Sequence, residues 1–362
     1  MDEREGLRAE FLNRCGLSDA RREGLAGDAS TRRYERLWLA DGSTRIFMDQ
    51  PPVESEPCAP DADPQARRQA GYNAVARLAA GRIEAFICAG AWLRSLGLST
   101  PEVMAQDTAC GFAVLEDLGD DLYATLISAG QDETPLYDAA IDALARIHET
   151  APPAVLQGPG GLRWPLLDYD ELALGIGGEM FLEWWPRYSG GAALSTDAAA
   201  EWEALIAPVL QRGAQGASVF CHRDYHAENL LWLPGREGLA RVGMLDFQDA
   251  VRAHPAWDLS MLLHDGRRDV STAREAACLD RYFQARPQVD RDSFMADYHA
   301  LGALNCARIL FIFARQVAGY GKPKYKAFIP RMWGYLERCL SHPGLTGLES
   351  WFARNVPADA RR

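Results

Sequence analysis

Hydrophobic positions along the chain recur with two different periods, about two residues in much of the first third and about 3.6 after it, which predicts strands followed by helices. Residues 3–15 open with a charged, amphipathic helical pattern. Tyr34-Glu-Arg-Leu-Trp-Leu then alternates as a strand does, Asp41-Gly42 is a hairpin signal, and residues 44–48 give the returning strand. Pro51-Pro52 ends it, because proline cannot donate to a ladder. Residues 51–66 are rich in Pro, Asp and Glu and read as a surface loop that continues into a helix over 69–80. A helix over 85–96, closed by Gly97, precedes a strand pair at 102–105 and 111–115. After the acidic segment Glu116-Asp-Leu-Gly-Asp the pattern turns helical at 136–150, 169–188, 197–212, 272–285, 292–318 and 328–340, with short apolar runs at 218–222, 230–233 and 241–246. The expected fold class is α+β and bilobal, with a small antiparallel-sheet lobe over 1–115, a hinge at 116–121 and a larger helical lobe over 122–362.

Composition narrows the partners. Hydrophobic residues make up 48% of the 362 positions, enough for a substantial core. A formal charge of -12 with no long basic run argues against nucleic acid and anionic membrane as partners. The eight cysteines are scattered without a C-x-x-C pair, the N-terminus is charged, and no run of about eighteen uninterrupted apolar residues occurs, so a cytoplasmic location with reduced thiols is expected. The oligomeric state is not specified. Lysine occurs at 322, 324 and 326 alone.

The chemistry concentrates in His222-Arg-Asp224-Tyr-His-Ala-Glu-Asn229, between two apolar runs, with Leu245-Asp246-Phe247 following. An Asp and an Asn five residues apart after His-Arg match the catalytic-loop spacing of kinases, in which the later Asp holds metal. Aligning an alcohol with a phosphoryl group while charge grows on phosphate oxygens calls for a carboxylate near the hydroxyl and hard oxygen ligands for Mg²⁺. Asp224 is therefore the expected catalytic carboxylate, and Asn229 and Asp246 the expected metal ligands of an ATP-dependent enzyme. His222 and His226 lie four apart, but on a loop without a third ligand, so zinc is not expected there; His222 is expected to brace the loop. His148 and His264 read as ordinary helix histidines.

These motifs, with His254-Pro-Ala-Trp-Asp258-Leu-Ser, resemble the aminoglycoside phosphotransferase and choline kinase superfamily. Gly27-Asp-Ala-Ser-Thr-Arg-Arg-Tyr34, Met48-Asp-Gln-Pro-Pro52 and Leu115-Glu-Asp-Leu-Gly119 resemble most its bacterial branch of anomeric N-acetylmuramate/N-acetylglucosamine kinases, over residues 25–265. The resemblance implies a protein-kinase-like fold, phosphorylation of the C1 hydroxyl of an amino sugar in cell-wall recycling, and a loop-supporting hydrogen-bonding role for Asp258. Nucleotide contacts are expected from Ser30, in a turn whose amides can cap phosphate oxygens, and from the hinge residues Glu116, Asp117 and Leu118.

One departure matters. Kinases hold the α- and β-phosphates with a strand lysine, and here Met48 falls near that place. Arg32, Arg33 and Arg45 are the candidate replacements, Arg32 and Arg33 being favoured because they follow the Gly27 turn. For the sugar, Asp168, Glu171 and Glu183 are candidate hydroxyl acceptors beside aromatic residues, and Arg308 is a candidate for a substrate carboxylate. Two alternatives stay open: a kinase for another small alcohol such as an aminoglycoside or choline, and a pseudokinase that binds nucleotide without turnover.

Overall fold

A computed structural model describes residues 3–25, 32–52, 58–79 and 81–361. Helix α1 (Glu3–Arg14) lies on a five-stranded antiparallel sheet of order β1-β2-β3-β5-β4, formed by β1 (Arg21–Gly24), β2 (Arg33–Trp38), β3 (Thr44–Asp49), β4 (Val103–Asp107) and β5 (Phe112–Glu116). The β2–β3 hairpin turns where Gly42 takes φ 82° and Asp41 accepts the Ser43 amide at 2.9 Å. Its register pairs Tyr34 with Met48 and Glu35 with Phe47, so the two faces of the sheet carry different chemistry. Phe47, Leu37, Phe112 and Val114 pack on Phe11 and Leu12 of α1, while Met48, Ala113 and Leu115 join the main core on the other face.

The acidic connection anticipated between 51 and 80 becomes α2 (Pro64–Ala70) and α3 (Tyr72–Val75), broken at Gly71, where φ is 95°. Residues 53–57 and 80 lie outside the described residues. Helix α4 (Ile83–Ser95) covers the cleft face of the sheet, and Gly97 follows it at φ 86°. Beyond β5 come α5 (Tyr123–Ser128), α6 (Thr134–Glu149), the pair β6 (Val155–Gln157) and β7 (Arg163–Pro165), α7 (Glu171–Ser189) and α8 (Thr196–Gln215). Two small antiparallel ladders then frame the motifs. One joins β8 (Val219–Cys221) to β11 (Val251–Ala253); the other joins β9 (Leu230–Trp232) to β10 (Val242–Met244).

Helices α9 (Ala256–Leu263), α10 (Thr272–Ala285), α11 (Arg291–Ala318), α12 (Ile329–Leu340) and α13 (Thr346–Asn355) complete the chain. Their starts are written in the sequence: Ser271 and Asp290 accept the amides of Arg274 and Ser293 as N-caps of α10 and α11. Helix α11 is long and apolar enough to cross a membrane by length and composition, but 72% of its most apolar window is buried, and it packs on α7, α9 and α12 as a central core helix. The mixed α+β architecture, sheet first and helices after, is the one expected.

Candidate active site

Residues 222–229 cross from β8 to β9, and Asp258 from α9 holds their first turn. Its buried carboxylate accepts the His222 amide at 2.6 Å, the Arg223 amide at 2.9 Å and the Cys221 thiol at 3.1 Å. Burial pushes the Asp258 carboxyl up, opposed by His222 and by these donors. Three donors and no acceptor fit the ionised form.

Arg223 takes φ 73° and Asp246 takes φ 62°, left-handed conformations that cost a non-glycine residue about 1–3 kcal/mol each and that persist only where the surroundings enforce them. The Arg223 guanidinium, buried, sits 4.7 Å over the Tyr169 ring and donates to the Arg77 and Asp249 carbonyls at 3.3 Å. The arginine thus anchors the loop and turns the next residue, Asp224, away from the core.

The Asp224 amide donates to His222 Nδ1 at 3.3 Å, and its carbonyl accepts from Asn229 Nδ2 at 2.9 Å. No described residue hydrogen bonds to its carboxylate. His222 is fully buried, edge-on to Tyr225 and Phe247, and does not line the pocket beside Asp224. The Asn229 amino group also lies 3.3 Å from His226 Nε2, so its donors face the protein and its amide oxygen is the acceptor it offers. Asp246 follows β10, with its side chain 44% exposed. Phe247 beside it stacks on Phe86 of α4 at 4.8 Å. An amide oxygen and a half-exposed carboxylate are hard donors of the kind Mg²⁺ takes together with water and phosphate oxygens, so the residues present fit that ion.

Sheet register separates the candidate cations. Arg33 pairs with Asp49 and Arg45 with Leu37, positions that share the face covered by α1, whereas Tyr34 and Met48 face the cleft. Arg32 reaches across the cleft: Nη2 lies 3.0 Å from Asp246 Oδ1, and Nη1 donates to Gln248 at 2.8 Å and to the Tyr34 hydroxyl at 3.2 Å. Gln248 also donates to Asp246 Oδ1, at 2.9 Å. Met48 is fully buried, so no strand lysine is replaced in place. Ser30 and the Gly27 turn lie outside the described residues. In the segment 116–121, Glu116 pairs with Arg236, and Asp117 accepts the Gly119 amide at 3.0 Å and pairs with Arg36 at 2.6 Å. The Asp117 and Glu116 side chains are therefore engaged within the protein, and Leu118 is half-buried.

A pocket opens beside Asp224, lined also by His226, Met261, His264, Asp265, Arg267, Arg308, Ile309 and Phe313. Of the four candidate sugar residues it brings in Arg308 alone. Asp168 pairs with Arg252 at 2.5 Å, Glu183 pairs with Arg187 at 2.9 Å one turn along α7, and Glu171 is exposed in the first turn of that helix. These three lie outside the pocket, on the surface, where carboxylates are well solvated. Gly177 of α7 makes room for Arg308, since a Cβ there would come within 2.6 Å of it.

Arg267 is a pocket residue that the sequence did not single out. It donates to Glu228 at 2.7 Å and to His226 Nε2 at 3.3 Å, while Asp265 accepts its amide at 2.9 Å. Burial, with Arg267 beside it, pulls His226 down to about 4, so its imidazole is neutral and accepts through Nε2. The signal available was the turn Asp265-Gly-Arg, of a kind that commonly carries functional side chains.

Residues 21–294 match the phosphotransferase enzyme family. The chain is 61% identical to an N-acetylmuramate/N-acetylglucosamine kinase of Caulobacter vibrioides, covering 99% of both chains. It is 27% identical to the N-acetylmuramate/N-acetylglucosamine kinase of Pseudomonas aeruginosa over 87% of this chain and 82% of the other. Among solved structures, a choline/ethanolamine kinase family protein from Mesorhizobium loti shares the fold with a TM-score of 0.55 at 15% identity, covering 96% of this chain and 98% of the other. The chain belongs to the phosphotransferase enzyme family.

Proposed function

We propose that the chain is an ATP- and Mg²⁺-dependent kinase that phosphorylates the anomeric (C1) hydroxyl of N-acetylmuramate, N-acetylglucosamine or both, in cytoplasmic cell-wall recycling. The observation that carries this reading is the Asp224 carboxylate. It is held by a braced loop, hydrogen bonded to no described residue, and shares its pocket with Arg267 and Arg308, in a chain so similar to the Caulobacter kinase.

In the proposed reaction the lobes 1–115 and 122–362 meet the nucleotide from opposite sides of the hinge 116–121. Asp224 takes the proton of the C1 hydroxyl as the sugar oxygen bonds to the γ-phosphorus; the bond from that phosphorus to the β–γ bridging oxygen breaks, and ADP leaves. Asn229 and Asp246 would hold Mg²⁺, whose charge would offset that of the phosphate oxygens. Arg32 leaves Asp246 to grip phosphate oxygens through its fork of donors, taking the role of the absent lysine. Asp258 and Arg223 act through the loop and do not touch the substrate.

Arg308 and Arg267 would meet the lactyl carboxylate that distinguishes N-acetylmuramate from N-acetylglucosamine. The same two guanidinium groups disfavour a polycationic aminoglycoside, because like charges in a partly desolvated pocket are costly. A half-exposed Asp246 and an Asn229 oxygen that accepts from no described residue, a pair of hard donors a scaffold has no use for, argue against a pseudokinase. No nucleic-acid or membrane partner is proposed. Phosphorus NMR with MgATP and, separately, N-acetylmuramate, N-acetylglucosamine and kanamycin tests the assignment. A sugar 1-phosphate signal is expected with the first two sugars; product with kanamycin alone would replace the proposed substrate, and ATP binding without product from any acceptor would favour the pseudokinase.

A further inference from the structure

Behind the pocket wall three side chains converge that the proposed reaction does not use. His264 caps the end of α9, Cys306 lies on α11 and Cys339 on α12, and all three are buried at 1%, 0% and 0% exposure. One imidazole nitrogen and the two sulfurs lie within 4.8 Å of one another, with His264 Nδ1 3.9 Å from Cys339 Sγ. Tetrahedral zinc, with bonds of about 2.3 Å to sulfur and about 2.0 Å to nitrogen, sets its ligand atoms about 3.6–3.8 Å apart. Shifts of about 1 Å or less would close this triad on an ion.

The surroundings of the imidazole point the same way. His264 Nε2 lies 3.1 Å from Glu275 Oε1, and that carboxylate also accepts the Tyr298 hydroxyl at 2.8 Å and pairs with Arg338. A carboxylate on Nε2 keeps a proton there and turns the Nδ1 lone pair toward the sulfurs, the arrangement that orients metal-bound histidines. Gly302, four residues before Cys306, leaves the space open: a Cβ there would lie 3.0 Å from Cys339 Sγ and 3.3 Å from His264 Nδ1.

We propose that His264 Nδ1, Cys306 Sγ and Cys339 Sγ form a binding site for one thiophilic d¹⁰ cation, Zn²⁺ or Cu⁺. Two sulfurs and one imidazole are soft to borderline donors, unlike the oxygen ligands offered to Mg²⁺. Binding releases both thiol protons to solvent, together with the Nδ1 proton of any His264 in its imidazolium form, and leaves two thiolates and a neutral imidazole. With Zn²⁺ that set is electrically neutral, as full burial favours, whereas with Cu⁺ it retains one negative charge. The cation joins the end of α9 to α11 and α12. His264 itself lines the pocket, Arg267 follows three residues later, and Arg308 lies two residues beyond Cys306, so the ion would stiffen the wall that carries both arginines.

The test does not depend on the enzyme's substrate. Full-length protein, purified under reducing conditions without chelator from cells supplied with zinc or copper, is analysed for metals, then stripped and titrated anaerobically with Co²⁺. About one zinc or copper per chain is expected, and cobalt should give a thiolate charge-transfer band in the near ultraviolet that saturates at about one equivalent. Cys306→Ala and Cys339→Ala should abolish the band, while Cys278→Ala, which removes another buried thiol, should keep it. Recovery of zinc or of copper identifies the ion. Wild-type protein with neither metal and no cobalt–thiolate band would overturn the proposal, as would a band that survives in both variants. Should the variants fail to fold, wild-type stoichiometry and the band decide.

Discussion

Replacing Asp258 by alanine should uncouple the catalytic loop without touching any atom that meets the substrate. The carboxylate accepts two buried backbone amides and one buried thiol, at 2.6, 2.9 and 3.1 Å. Leaving a buried amide unsatisfied costs about 1–3 kcal/mol, so the two amides alone put the destabilisation at about 2–6 kcal/mol, at the upper end if water cannot enter. The same bonds oppose the strain at Arg223, whose φ of 73° precedes Asp224 directly. Once they are gone the backbone can relax toward negative φ and carry the Asp224 carboxylate with it. Displacement of a reacting group by about 1 Å costs about 100-fold, so kcat should fall by about 10²-fold or more while the KM for ATP changes little. Asp258→Asn should recover only part of the loss, since one of its two terminal atoms becomes a donor that faces an amide. Steady-state kinetics on N-acetylglucosamine and urea unfolding followed by circular dichroism measure both effects. An alanine variant with kcat within about threefold of wild type and unchanged stability would refute the reasoning.

Three further outcomes are expected. Arg32→Ala should raise the KM for ATP by about 10-fold or more, as loss of a charged hydrogen bond implies, while Arg33→Ala and Arg45→Ala, on the α1 face, should behave as wild type in the same assay. Arg308→Leu should raise the KM for N-acetylmuramate by about 10–100-fold and leave that for N-acetylglucosamine nearly unchanged, which parallel kinetics on the two sugars will read. Burial pulls His148 down to about 3 from 6.5, so the unfolded chain binds a proton that the folded chain refuses. Stability is then unaffected above pH 6.5 and falls between pH 6.5 and about 3, by about 1.4 kcal/mol at pH 5.5; His148→Gln should remove that increment in urea titrations at pH 7.5 and 5.5.

How far the sequence reached depended on whether a signal was local. The β2–β3 hairpin was legible because alternation and Asp41-Gly42 agree, and α10 and α11 because a 3.6-residue period runs on between a polar cap and a break. Helix α9 was not, since all eight of its residues are buried and burial on every side erases the amphipathic period. Strand β1, with the pattern Arg-Arg-Glu-Gly, carries no apolar signal, and its pairing with β2 supplies what composition does not. At the site, Asp224, Asn229 and Asp246 are marked in the sequence by a fixed spacing, which is the signal that the joint task proposed for them would leave. Separating Arg32 from Arg33 and Arg45 needed three dimensions: the sheet register puts the latter two on the α1 face, and contacts with Asp246 and Gln248 put Arg32 across the cleft. The grouping of His264, Cys306 and Cys339, 42 and 33 residues apart, could come only from helix packing. Asp168, Glu171 and Glu183 illustrate the converse: acidic residues near aromatics in sequence, they stand on the surface in three dimensions.

The central claim is that Asp224 performs proton abstraction in a site otherwise competent to bind both substrates. The most direct test is pre-steady-state phosphoryl transfer by Asp224→Asn, with nucleotide binding to the same protein measured calorimetrically. General-base catalysis of this kind contributes about 10²–10⁴-fold, so the transfer rate should fall by that factor while ATP and sugar affinities stay within about threefold of wild type. A variant that transfers phosphate at the wild-type rate would contradict the account.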